Sequence, residues 1–298
     1  MRDLTAENAV TASLNLYRKR FKTYFKLSII SHLWFLIPIY GWAKCYAGIA
    51  LISRLAFSEI TGKPETISEA QSHINQNLWS FWLAAILVYL CFGFRAFLWV
   101  IVWSISTAVL SFLSLWFLGN LVSINQAFFA VSILIFLVLM VLAYAYLFLK
   151  LIEIYSPFFG YELPLAIEPK MTSSTTITRS RRLVEGLRRS VVKTIVVAVL
   201  ATIPISFLSL SIWVFVSGFI QNVTSTNTEQ STATAIRQVI WVIYWSIFNM
   251  VITPFWQTLK AMVYYNLLCQ KEAVDLPKNL ASSPCWDAGD FREIGSES

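Results

Sequence analysis

Long apolar stretches, each about the length that crosses a lipid bilayer, follow one another along most of this chain of 298 residues. A hydrocarbon core about 30 Å thick needs roughly 20 apolar helical residues per crossing. Hydrophobic residues make up 57% of the chain and charged residues only 13%, which leaves too little polar surface to coat a soluble globule. The sequence therefore predicts an all-α, polytopic membrane protein.

We predict six spans, which form a six-helix transmembrane domain over residues 27–270. The first stretch, Leu27–Phe57, is too long for one crossing. We expect it to kink or break between Pro38 and Lys44, because proline removes a helical hydrogen bond and lysine is costly in hydrocarbon. The sequence leaves open whether residues 45–58 continue this span or fold back. The other five predicted spans are Leu78–Phe92, Phe97–Leu118, Ala127–Leu149, Thr194–Ile220 and Val239–Leu268.

Turn and capping signals mark where some predicted helices begin and end. Gly62-Lys63-Pro64 is a turn signal, and the capping box from Thr66 to Glu69 opens a short helix that we expect to lie along the membrane surface. Gly93-Phe94-Arg95 indicates a tight turn between the second and third spans.

Basic residues gather in two places beside the predicted spans. The first is residues 1–26, a predicted amphipathic helix, and the second is a basic helix at 170–193, before the fifth span. Lysine and arginine are retained on the cytoplasmic side of membranes, where anionic headgroups attract them. Six crossings return both clusters and the polar tail, residues 271–298, to that side, so we predict that both termini are cytoplasmic. The net charge of +7 is thus explained by the membrane and does not indicate nucleic-acid binding.

The second basic segment is the densest polar site of the chain. Guanidinium groups suit lipid phosphate oxygens, and a neighbouring hydroxyl can add a hydrogen bond. A simpler interpretation is that the cluster only holds its loop inside the cell, and the sequence leaves both interpretations open. The residues predicted to contact headgroups are Arg179, Ser180, Arg181, Arg182, Arg188 and Arg189.

Charged residues at membrane depth form a second candidate site, because each is costly in hydrocarbon unless it pairs or faces water. Lys44, Arg95 and Lys260 are the candidates for an intramembrane polar site. Long side chains of this kind also reach the interface from helix breaks, which requires no function. No catalytic site, metal site or cofactor is predicted, since the two histidines, the four cysteines and the carboxylates show no ligand spacing.

Two stretches of the chain resemble a family of six-helix proteins related to the membrane domain of glycerophosphoryl diester phosphodiesterase. One is Tyr155–Glu162 followed by Thr178–Gly186, where a helix ends near a proline and an Arg-Ser pair opens the basic helix. The other runs from Thr253-Pro254 through Tyr264-Tyr265-Asn266 to Asp275-Leu276, with Asn266 where the family usually has Asp. The resemblance implies the six-helix fold, and we expect no phosphodiesterase barrel, which takes about 250 residues.

These observations lead to two hypotheses about function. The first is a non-enzymatic membrane protein that contacts anionic lipid headgroups or another membrane protein through its basic helices, in an assembly, scaffold or lipid-related role. The second is a small-solute transporter with a cavity between two related halves. A weak internal similarity between Leu14–Ile39 and Ser180–Ile205 favours the second, since each segment is a basic helix entering a span that contains a proline. The sequence leaves open whether this repeat is real.

Overall fold

The computed structural model describes residues 5–122, 126–224 and 230–272, and every regular element within them is a helix. The all-α prediction is therefore confirmed for this part of the chain. A short 3₁₀ turn, Ser156–Phe158, follows the sixth helix. The α-helices are α1 (Ala6–Lys19), α2 (Phe21–Trp34), α3 (Tyr40–Ile60), α4 (Ile67–Gln76), α5 (Leu78–Val122), α6 (Gln126–Tyr155), α7 (Glu162–Ile167), α8 (Ser173–Val184), α9 (Arg188–Thr224) and α10 (Gln230–Glu272).

Four of these helices, α5, α6, α9 and α10, are long and apolar enough to cross a membrane. The apolar segments lie at Leu78–Ser114, Val131–Ile167, Arg188–Gln221 and Thr234–Lys271. Their length and composition support a location in a membrane, as predicted from the apolar stretches.

The predicted turn at Gly93-Phe94-Arg95 does not form. α5 continues without a break for 45 residues, which is about 67 Å of helix. A single glycine costs an α-helix only about 1 kcal/mol, and no proline is present to remove a hydrogen bond. The two predicted spans Leu78–Phe92 and Phe97–Leu118 are therefore two parts of one helix, so the described residues give four candidate spans where six are predicted.

The first apolar stretch folds back on itself. The predicted break is found at residues 35–39, which include Pro38, whereas Gly41 and Lys44 already lie inside α3. α2 and α3 pack as an antiparallel hairpin, and Ser31 of α2 occupies the space that a side chain at Gly48 of α3 would need. With 14 residues, α2 is about 21 Å long, which is shorter than the hydrocarbon core.

Most buried side chains lie in one half of the molecule, which we call the base. α3 runs through it and buries Ala43, Ala47 and Ala50, small residues that let neighbouring helices approach closely. Tyr17 of α1 donates a 2.8 Å hydrogen bond from its hydroxyl to the carbonyl oxygen of Val251 in α10. Burial raises the pKa of Tyr17 to about 12. The base comprises α1 to α4, α7, α8, residues 78–92 of α5, 150–155 of α6, 188–199 of α9 and 251–271 of α10.

The remaining parts of the four long helices extend from the base, and we call them the arms. Their apolar side chains are largely exposed: Phe112 is 71% exposed and Phe215 is 78% exposed. Such surface is compatible with hydrocarbon as the surrounding medium and not with water. The arms are residues 97–114 of α5, 131–149 of α6, 200–221 of α9 and 234–250 of α10.

The two segments of the weak internal similarity share a helix–break–helix arrangement. Arg20 separates α1 from α2, and residues 185–187 separate α8 from α9. Their prolines differ, because Pro38 lies in the break after α2 whereas Pro204 lies inside α9. The repeat itself therefore stays a prediction.

Candidate functional site

Charged residues of α5 and α6 lie at one level along the bundle. The two helices run antiparallel, with the rings of Phe92 and Tyr155 centred 5.5 Å apart and Lys150 Nζ 5.7 Å from the ring centre of Trp99. Arg95 lies between Phe92 and Trp99, so it is level with the last turns of α6. There, Lys150 Nζ donates to Glu153 at 2.8 Å.

Contacts from α6 to α9 and from α9 to α10 extend this level across the bundle. Arg188, the first residue of α9, donates from Nη2 to the carbonyl oxygen of Glu153 at 2.5 Å. The hydroxyl groups of Ser209 in α9 and Tyr244 in α10 are 2.7 Å apart. Lys193 and Lys260 lie equally far along their helices from this contact, on its base side. We call this set the charged belt; it consists of Arg95, Lys150, Glu153, Arg188, Arg189, Lys193 and Lys260.

The charged belt lies at the edge of the base that adjoins the arms. From Arg95 to the end of α5 is about 40 Å of helix, and from Lys150 back to the start of α6 is about 36 Å. A bilayer with its headgroup regions is about 40–45 Å thick. The belt therefore lies where one polar face of a bilayer would be if the arms crossed it.

One ion pair of the belt is buried. Lys260 Nζ donates to Glu162 Oε1 at 2.6 Å, and the two side chains are only 12% and 6% exposed. The lysine also lies 5.9 Å from the ring centre of Tyr161, whereas Glu162 Oε2 is buried with no hydrogen-bond partner among the described residues. A void of about 10 Å³ beside Lys260 has room for about one water molecule.

The six residues of the predicted headgroup cluster lie in different places in the fold. The first two, Arg179 and Ser180, make their contacts inside the base. Arg179 Nε donates to Glu168 Oε1 at 3.1 Å, and the hydroxyl of Tyr264 donates to the same oxygen at 2.6 Å. Ser180 is buried and donates to the carbonyl oxygen of Pro157 at 3.0 Å. Both side chains thus attach α8 to the base.

The next two arginines of the cluster differ in exposure. The guanidinium carbon of Arg181 is 4.7 Å from the ring centre of Phe158, a cation–π contact with a fully buried ring. Arg182 is exposed, and its carbonyl oxygen accepts a 2.6 Å hydrogen bond from Lys271 Nζ. Because Lys271 lies about 16 Å beyond Lys260 along α10, Arg182 is on the base side of the belt, away from the arms.

The last two arginines of the cluster belong to the belt. Arg188 is held by Glu153 through the hydrogen bond to its carbonyl oxygen and an ion pair of 3.8 Å. Arg189 and Lys193 are exposed and lie one turn apart on the same face of α9. Together with the exposed Arg95, they are cations of the belt that face outward.

The three candidates for an intramembrane polar site have different surroundings. Lys44 Nζ donates to Asn75 Oδ1 at 2.9 Å, at the end of α4. Arg95 is exposed on α5, and Lys260 is paired with Glu162. The structure brings Arg95 and Lys260 to the same level of the bundle but does not bring the three side chains together.

Two carboxylates of the base, Glu162 and Glu168, were not predicted as site residues; Glu162 pairs with Lys260 and Glu168 with Arg179. Glu162 begins α7 and Glu168 follows its end, so they flank a short and otherwise apolar helix. Carboxylates in such a segment are the signal that could have identified them, because a buried carboxylate needs a cation as partner. Among the described side chains, no group of three or more histidine, cysteine, aspartate or glutamate residues could hold a metal ion.

Comparison with known proteins gives no relative for this chain: it matches no family model, and the searches of curated proteins and of solved structures find no match. The resemblance to the phosphodiesterase membrane-domain family therefore stays a prediction.

Proposed function

We propose that this chain is a non-enzymatic integral membrane protein whose charged belt binds anionic lipid headgroups. The observation that carries this proposal is the position of the belt. Arg95, Arg189 and Lys193 point outward at the level where lipid-exposed arms change into the packed base. Each cation near a membrane surface contributes about 1 kcal/mol of attraction to anionic lipids.

The belt and the base face the cytoplasm in this proposal. Arginine and lysine are retained on that side of membranes, and the exposed basic residues are concentrated in the belt and the base. A bundle with four crossings returns α1 and the end of α10 to one side, as the predicted six crossings also do. A cysteine placed at exposed position 182, with the natural cysteines replaced, is expected to react only after the membrane of intact cells is opened. Reaction in intact cells would contradict the orientation.

The base supplies the second part of the proposed role. With the arms in lipid, its exposed surface is available to another membrane protein, in an assembly or scaffold function. The alternative hypothesis, a transporter, needs a solute-sized cavity between its two halves, whereas the void inside the base beside Lys260 holds about one water molecule. We therefore favour lipid contact over solute transport.

The experiment measures binding of phosphatidylglycerol and phosphatidylcholine to the purified chain in detergent by native mass spectrometry. Removing two cations, Arg95→Gln with Arg189→Gln, is expected to weaken phosphatidylglycerol binding about 30-fold, which corresponds to about 2 kcal/mol. Phosphatidylcholine binding should change much less, because its headgroup has no net charge.

A matched control removes two exposed cations of the predicted basic segment that lie away from the belt, Lys170→Gln with Arg182→Gln. The nearby Ser173 donates to the carbonyl oxygen of Ser80, about 22 Å from Arg95 along α5. This control is expected to retain phosphatidylglycerol binding. An equal loss in both double variants would mean that only total charge matters, and the proposal would be wrong.

A further inference from the structure

A groove of about 550 Å³ opens at the charged belt. It lies between the first turn of α1, the end of the α6 arm and the base part of α9. Sites for small molecules usually have volumes of about 300–1,000 Å³. The groove is therefore large enough for part of a lipid molecule.

The wall of the groove is apolar and joins the lipid-facing surface of the arms. It is formed by Leu149 from the last turn of the α6 arm and by Val192, Val196 and Val197 from α9. Leu149 is exposed, so the groove is continuous with the apolar surface of α6. An acyl chain could pass from the bilayer along this wall without leaving apolar surroundings.

The mouth of the groove carries one carboxylate and one ammonium group. Glu7 in the first turn of α1 and Lys193 of the belt both line it, and both are exposed. Neither side chain makes an ion pair or a hydrogen bond with another described residue. A carboxylate and an ammonium group at the edge of an apolar groove, neither paired with another described residue, are complementary to a zwitterion attached to an apolar chain.

We propose that this groove binds one phospholipid with a primary-ammonium headgroup, of the phosphatidylethanolamine class. Lys193 binds the phosphate, the Glu7 carboxylate accepts hydrogen bonds from the ammonium group, and an acyl chain lies along the valines of α9. A choline headgroup fits less well because its quaternary nitrogen has no N–H to donate. This inference rests on the proposed function, which places the belt at the level of the headgroups.

The test is native mass spectrometry of the full chain, titrated with phosphatidylethanolamine, phosphatidylcholine or phosphatidylglycerol of identical acyl chains. We expect one phosphatidylethanolamine per chain to bind about fivefold more tightly than phosphatidylcholine, the range of one exposed ion pair. Glu7→Gln should remove most of this preference, and Lys193→Gln should weaken binding of all three lipids at this site.

A second pair of variants tests the apolar wall. Val196→Trp fills the groove and is expected to weaken phosphatidylethanolamine binding at least about tenfold. Val141→Trp places the same side chain on the exposed face of the α6 arm, away from the groove, and should leave binding unchanged. Soluble glycerophosphoethanolamine, which has no acyl chain, should not compete, and competition by it would overturn the role of the wall.

Failure of this inference can be separated from failure of the proposed function. Phosphatidylethanolamine binding that is unchanged by both Glu7→Gln and Val196→Trp overturns the groove site. If phosphatidylglycerol binding still depends on Arg95 and Arg189, the headgroup function stands without this site. If neither dependence is found, both are wrong. Glu7 and Lys193 are exposed, so their variants remain informative even if Val196→Trp fails to fold.

Discussion

The four long helices run through both the base and the arms, yet their apolar side chains are buried in the base and exposed in the arms. Leu259, in the base part of α10, is fully buried, whereas Leu208, in the arm of α9, is 60% exposed. The base is stabilised by packing of side chain on side chain. The arms satisfy their backbone hydrogen bonds within each helix and leave their apolar side chains exposed, an arrangement that suits lipid as the surrounding medium.

The two regions show which sequence features distinguish a helix packed against protein from a helix whose apolar side chains are exposed. Overall hydrophobicity does not, because α5 is apolar in both its base and its arm. Small residues do better: Ala84 and Ala85 are fully buried in the base part of α5, and Ala43, Ala47 and Ala50 are buried along α3. The arms carry large side chains such as Phe112, which lipid can cover.

The strongest test of the difference between base and arms is the buried ion pair of Lys260 and Glu162 in the base. Glu162→Ala leaves Lys260 buried without its carboxylate, which is expected to destabilise the chain by about 3–5 kcal/mol. The double variant Glu162→Ala with Lys260→Met should recover most of that loss. The measurement is unfolding by increasing denaturing detergent in mixed micelles. A loss below about 1 kcal/mol in the single variant would show that the pair is open to water and that the base is not closed there.

The second prediction compares one substitution in both regions. Leu259→Ala is expected to cost about 2–5 kcal/mol, because it leaves a cavity in the packed base. Leu208→Ala should cost less than about 1 kcal/mol, since lipid or detergent fills the vacated space around an exposed position. The same unfolding measurement serves for both variants. Equal costs would mean that the α9 arm is also buried, against another copy or a partner, and would remove the distinction between the regions.

The third prediction concerns the α2–α3 hairpin at the edge of the base. A Cβ at Gly48 would collide with the side chain of Ser31, so Gly48→Ala is expected to cost about 1–3 kcal/mol. Adding Ser31→Gly removes the colliding atoms and should restore much of the stability. If Ser31→Gly gives no rescue, the two helices do not approach each other at this point.

Local chemistry predicted the parts of the fold that depend on neighbouring residues. The capping box of Thr66 and Glu69 forms at the start of α4, and the helical conformation is interrupted around Pro38. The prediction of a turn at Gly93 was wrong, because one glycine weakens a helix without ending it. Continuous apolar residues on both sides were enough to maintain α5.

The candidate site was less predictable because its contacts join distant segments. Lys260 and Glu162 are 98 residues apart in sequence, and Tyr264 and Glu168 are 96 apart. No helical or strand periodicity in the sequence relates residues that are so far apart. The sequence identified the basic segment, but only the fold assigns Arg179 and Arg181 to the base and Arg189 to the charged belt. The density of charge in the sequence therefore identified the basic segment but not which of its side chains are exposed.

The smallest predicted effect is a pH dependence of the base. His73 of α4 has a buried Nδ1 with no hydrogen-bond partner among the described residues. It lies near Arg54, whose Nε donates to Glu65 at 2.7 Å. Burial, followed by the charge of Arg54, lowers the pKa of His73 below its ordinary value of 6.5, and Glu65 opposes this only in part.

A histidine whose pKa is lower in the folded than in the unfolded chain binds fewer protons when folded. Its contribution to stability is therefore complete above about pH 6.5 and is lost as the pH falls from there toward the folded-state pKa. We expect the melting temperature of the wild-type chain to fall between about pH 7.5 and about pH 5.5, and to fall less in His73→Gln, which cannot be protonated. Because the arms contain no histidine among their described residues, this difference reports on the base alone. Parallel pH profiles for the two chains would mean that His73 is hydrated, and that packing around α4 is looser than in the rest of the base.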